Sequence, residues 1–69
     1  MPVVKVIELI GCSSINWEEA VKSALAEAAK TIKNIKSIYV KAINANVENN
    51  KIVEYKAIVK ISFVVDQEL

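Results

Sequence analysis

The side chains able to do chemistry are few: one thiol, Cys12, beside the only glycine, Gly11; eight carboxylates; nine lysines; and no histidine or arginine. Without histidine the commonest general base is missing, and Ser-His and Cys-His nucleophile pairs cannot form. A zinc site of imidazoles and thiolates is excluded with it, and a single cysteine permits no internal disulfide. The absence of arginine removes bidentate clamps for phosphate or carboxylate, since lysine offers only a point charge. A net charge of +1 is no polybasic footprint for nucleic acid. These residues point to binding or assembly, not catalysis.

Any bound cation would have to be held by oxygens, which suits calcium or magnesium. Glu8 and Asp66 are the candidate metal ligands. Each needs symmetry-related copies of the chain to complete a site, because the acids of one chain are scattered over all its elements. Glu68 adds a further oxygen donor near the C-terminus. The plainer accounts are an ion pair from Glu8 to a lysine across the sheet or an interface, and a solvated tail around Asp66. Cys12 could be a thiol activated near a helix N-terminus, but without a basic partner or a resolving cysteine it reads as a small buried residue. Trp17 could stack on a ligand; at a helix start it reads as packing onto the sheet or a neighbouring subunit. Lys41 and Lys56 either line a ligand cleft or keep a sheet edge soluble.

Four elements must position these groups. Val3 to Ile10 is rich in β-branched residues and reads as a strand that stops in a turn at Gly11. Its apolar residues occur on both faces, so both are expected to be covered. From Trp17, apolar residues recur at Ala20, Val21, Ala24, Leu25, Ala28, Ile32 and Ile35, predicting a helix of about five turns. Asn16 and Glu19 form a capping signal, with Glu19 reaching back to the cap. Glu18 and Glu19 at one end, and Lys30, Lys33 and Lys36 at the other, complement the helix dipole. Two strands follow, joined at Asn49-Asn50, a workable two-residue turn because Asn tolerates positive φ.

In the last strand every odd position from 53 to 65 is apolar. Closing the hairpin at 49–50 sets Ile38 against Ile61, Val40 against Val59 and Ala42 against Ala57, all on one apolar side. Tyr39, Ile43, Val47 and Ile52 then share the other face with Lys41, Lys56 and Lys60, a mixed surface suited to contact between subunits. A right-handed crossover makes the first two strands parallel, so the third lies between them, antiparallel to both. The fold class is α+β: a β-α-β-β chain forming one domain over residues 1–69, with one helix across a three-stranded antiparallel sheet.

At 69 residues and 54% apolar composition, such a domain buries too little surface to stand easily alone. A closed homo-oligomer is the stabilising device that remains. No stretch reaches the roughly 18 apolar residues of a membrane helix, and Val3–Ile10 is too short and too charged for a signal-peptide core. A lone cysteine fits a reducing compartment. The expected location is the cytoplasm, with no membrane or nucleic-acid partner.

The run Lys5-Val6-Ile7-Glu8-Leu9-Ile10-Gly11-Cys12-Ser13-Ser14, then Trp17-Glu18-Glu19-Ala20, the helix Ala24–Ala28, and the closing Ile58-Val59-Lys60-Ile61-Ser62-Phe63 resemble the dodecin family over nearly the whole chain. The resemblance implies a β-α-β-β subunit of a hollow dodecamer that binds small ligands, many members holding flavins in pairs as storage or scavenging proteins. Flavin-binding members stack the flavin on a Trp at the start of the second strand and hydrogen-bond it with a Gln on the third. Those cofactor-binding positions correspond here to Ser37 and Lys56. Serine has no aromatic face, which forfeits roughly 1–3 kcal/mol of stacking per ring, and lysine has donors but no acceptor. The resemblance therefore implies a non-enzymatic binding and storage oligomer with weak or absent flavin binding. The alternative it leaves is a structural oligomer or a calcium-binding variant.

Overall fold

The computed structural model describes residues 3–65. The elements run β1 (Val3–Ser13), α1 (Trp17–Ala29), β2 (Ile35–Glu48) and β3 (Lys51–Val65). They form one three-stranded sheet in the order β1-β3-β2, with β3 antiparallel to both neighbours and α1 across one face. Among the described residues no helix is long and apolar enough to cross a membrane.

β1 does not turn at Gly11. It continues to Ser13, pairing with β3 through eleven consecutive residues without a break. Gly11 serves close approach instead: a Cβ there would lie 2.0 Å from the Ala20 carbonyl oxygen and 3.0 Å from the Ala24 Cβ. The helix presents Ala20, Ala24 and Ala28 to the sheet, one turn apart, and all three are buried. Small residues on both sides let the helix backbone settle onto β1. Opposite them lie Ala57, Val59 and Ile61, which complete the buried core. Ile7, Leu9, Val21, Leu25, Ile32, Ile35 and Ile38 close its edges.

Asn16 caps α1, its side chain accepting from the Glu19 backbone N–H at 2.7 Å. Glu19 does not reach back to the cap; its carboxylate lies 3.7 Å from Lys22, which also pairs with Glu18 at 3.3 Å. The helix is shorter than its apolar stripe. It ends at Ala29, and the chain unwinds through i→i+3 bonds from Lys30 to Glu27 and from Thr31 to Ala28. Thr31 and Ile32 are β-branched and poor helix formers, and Asn34 takes the left-handed conformation with φ 62°. Lys33 and Lys36 consequently lie beyond the helix, where they cannot complement its dipole. Ile32 and Ile35 still point inward, but from the connection and from the start of β2.

The hairpin turn is where the sequence places it: Asn49 and Asn50 both have positive φ, 52° and 64°. The register holds for Ile38–Ile61 and Val40–Val59 but not for Ala42. An extra residue in β2 at Lys41 sets Ala42 against Ile58 and Ile43 against Ala57. A bulge shifts the register by one, and one residue exchanges the faces of everything beyond it. Ile43 and Val47 therefore lie on the helix side of the sheet, not on the open face, and a second shift after Asn46 pairs Ile52 with Val47 on that side.

Candidate functional site

The sheet face opposite α1 carries most of the groups with binding chemistry. Across the three strands the register forms rows: Val6–Ser62–Ser37, then Glu8–Lys60–Tyr39, Ile10–Ile58–Ala42 and Cys12–Lys56–Asn44. Apolar and polar side chains alternate along the face, and Val4, Val6, Ile10 and Tyr39 are each more than half exposed. The expected cover on both faces of β1 is absent within one chain. An exposed apolar surface of this kind marks a contact face.

Glu8 faces Lys41, whose ammonium lies 3.5 Å from its carboxylate, both side chains being about half exposed. Lys41 follows Tyr39 on the open face by the alternation of β2, and the bulge then brings Ala42 to the same face. Such an exposed pair contributes no more than about 1 kcal/mol. Among the described residues no group of three or more acidic, Cys or His side chains gathers to hold a metal ion. The second candidate ligand, Asp66, lies outside the described residues, as does Glu68.

Ser37 and Lys56 occupy the same face but different ends of it. Ser37 shares a hydrogen bond between hydroxyls with Ser62, while Lys56 sits between Cys12 and Asn44. Positions 62 and 56 are six residues apart along β3, about 20 Å at the usual rise. One chain does not bring the two candidate ligand residues together. Next to Lys56, the Asn46 side-chain amide donates to Glu54 at 2.8 Å, so the polar row continues up the hairpin.

Trp17 is occupied with packing. Its ring meets Tyr55 edge-on at 4.9 Å between centroids, and its indole N–H donates to the Asn44 carbonyl oxygen at 2.8 Å. Cys12, expected to be buried, is exposed. The reason is parity: Gly11 faces the helix, so its neighbour faces outward. A groove of about 420 Å³ between α1 and the β2 edge, lined by Leu25, Ala29, Ile35, Lys36, Ser37 and Ile38, was not foreseen. The β-branched pair Thr31-Ile32, poor helix formers just past Ala29, was the available sign that the helix stops short of β2.

The fold is that of a β-α-β-β subunit with a bare, mixed sheet face. The dodecin family model matches residues 3–66, and the chain belongs to the dodecin family. It is 31% identical over 65 residues to dodecin from Thermus thermophilus, covering 94% of each chain. A solved structure of a T. thermophilus dodecin variant is 30% identical and superposes with a TM-score of 0.93, covering 97% of this chain and all of that one. The calcium dodecin of Mycobacterium tuberculosis, described as calcium-chelating with its own calcium-binding site, is 29% identical with a TM-score of 0.83, covering 97% of this chain and 99% of that one.

Proposed function

We propose that this protein is a non-enzymatic dodecin that works as a closed homo-oligomer, a dodecamer by family resemblance, binding a small ligand between its subunits in the cytoplasm. The observation that carries the reading is the 20 Å separation, by about 3.3 Å per residue, of Ser37 and Lys56 on a single bare face. A ligand touching both must be held by two copies, with the start of β2 from one and the middle of β3 from the other. The exposed apolar residues of that face support burial against another subunit.

Flavin binds weakly at such a site. Ser37 is hydrogen-bonded to Ser62 and has no ring to stack. Lys56 cannot accept the hydrogen bond that a glutamine carbonyl would. Fluorescence quenching of riboflavin on titration tests this. Little quenching at micromolar protein is expected, with a gain in the Ser37→Trp, Lys56→Gln double variant. Submicromolar affinity of the unaltered protein would overturn the assignment of the site.

The calcium dodecin relative favours a second reading, in which a hard cation is the ligand. No single chain gathers acidic groups among its described residues, so Glu8, or separately Asp66, would contribute from several copies around an axis. A bound cation would stabilise the assembly by mass action. Melting curves that coincide in millimolar calcium and in chelator would reject this reading.

A further inference from the structure

Lysines commonly keep the edges of sheets soluble, but Lys56 and Lys60 stand on β3, the central strand, where there is no edge to protect. Both belong to the face opposite α1. Lys60 has Glu8 and Tyr39 as its cross-strand partners, and Lys56 has Cys12 and Asn44. Four residues of β3 separate the two lysines, about 13 Å. The row between them, Ile10–Ile58–Ala42, is apolar. The open face therefore has an apolar floor with an ammonium group at each end.

Among the described residues neither lysine is in an ion pair. Glu8, directly across from Lys60, is held by Lys41 instead, at 3.5 Å. Glu54, two residues from Lys56, accepts from the Asn46 amide. From the Val6 row to the Cys12 row the face carries Lys41, Lys56 and Lys60 against the single carboxylate of Glu8. An aromatic ring stands beside this charge. Tyr39 is 63% exposed on the same face, two residues along β2 from Ser37. The ring contact among the described residues joins Trp17 to Tyr55 on the helix side, so the ring of Tyr39 has no aromatic partner there.

Covering this face would strand the two ammonium groups without a counter-charge, which is strongly destabilising. The chain has little to offer them. Glu18, Glu19 and Glu27 are in ion pairs on the helix, and Glu48 lies at the tip of the two-stranded arm that β2 and β3 form beyond the end of β1. Resting on the small-ligand reading above, we infer that the ligand of this face is an anion with a flat aromatic body. Its ring lies on Tyr39 and over Ile58, and its acid group, a carboxylate or a phosphate ester, is held at one or both of the flanking lysines. A point charge such as lysine's suits either acid. The same charge repels a cation, so the inference deepens the first reading of the face and not the second.

The test matches two probes of one shape, 2-naphthoate and its neutral amide 2-naphthamide, titrated against the assembled protein and read by their fluorescence. Naphthoate is expected to bind about tenfold tighter or more, a margin that shrinks as salt rises. Lys56→Gln with Lys60→Gln should remove the margin. Lys22→Gln, which takes a like charge from the outer side of α1, should keep it. Tyr39→Leu, apolar but without a ring, should weaken both probes about tenfold, whereas Tyr39→Phe should hold them. Circular dichroism and native mass accompany every variant.

Equal affinity for the two probes would overturn the inference and leave a small-ligand oligomer standing. So would a margin that survives the loss of both lysines, or one that falls as far in Lys22→Gln. Failure of either probe to bind protein of full native mass would overturn it as well. A native mass of 7.6 kDa would remove the oligomer and the ligand reading together.

Discussion

The sheet of this protein is one continuous structure with two unlike halves. Under α1, Ala57, Val59 and Ile61 are wholly buried against Ala20, Ala24 and Ala28. A few residues further along the same side, Ile43, Val47 and Ile52 are about half exposed. The apolar pattern is equally strong in both halves. What differs is the cover: thirteen residues of helix reach one half and not the other. Apolar patterning tells which side of a strand should be buried, and the length of the covering element decides how much of it is buried within one chain.

The largest expected effect lies in the covered half. Gly11→Ala puts a methyl group 2.0 Å from the Ala20 carbonyl oxygen, a backbone atom that cannot move aside without lifting the helix. A loss of about 3 kcal/mol or more is expected, read as a collapse of the urea midpoint. If Gly11→Ala melts like the parent, the covered half is not held by close helix–strand approach.

The next effect compares the halves directly. Ile61→Ala empties a fully buried site and should cost about 3 kcal/mol at any protein concentration. Ile52→Ala removes the same atoms from the arm, where they are 47% exposed. Its cost should appear only in the assembled protein and fade on dilution. Denaturation of both variants at two concentrations separates them, and an Ile52→Ala loss independent of concentration would erase the distinction.

The smallest effects belong to the ends and exposed side of the helix. Asn16→Ala removes the cap on the Glu19 N–H and should cost about 1 kcal/mol. Lys22 titrates above its ordinary value of 10.5 because Glu18 hydrogen-bonds it and Glu18 and Glu19 attract its charge. A raised pKa means that the pair's contribution is present at neutral pH and lost as pH climbs past that range. The side chain is exposed, so Lys22→Ala should leave the melting temperature near pH 7 almost unchanged. A clear drop would show that the outer side of α1 is covered in the assembly.

Much of the fold was legible in local pattern. The period-two alternation of β3, the helical start at Asn16 and Trp17 and the Asn49-Asn50 turn each follow from near-neighbour chemistry, and the strand order follows from chain connectivity. The family resemblance rested on the same residues. The candidate site was less legible. Ser37 and Lys56 were correctly placed on strands, but their separation shows only once the register is known. The ion pair from Glu8 to a lysine across the sheet was legible as the plainer account of that acid, but which lysine, Lys41, shows only in the folded sheet.

The sequence by itself determined which segments are helix and strand, where the hairpin turns, and that no histidine- or arginine-dependent chemistry is available, because these depend on residue type and short-range spacing. The tertiary structure alone decided three things. It decided that Gly11 is a contact point instead of a turn, that Ile43 lies on the helix side, and that the helix stops at Ala29 and leaves an apolar groove. Each follows from a competition between distant segments for the same space. A one-residue bulge or a lost helical turn changes what a face presents without changing the local pattern.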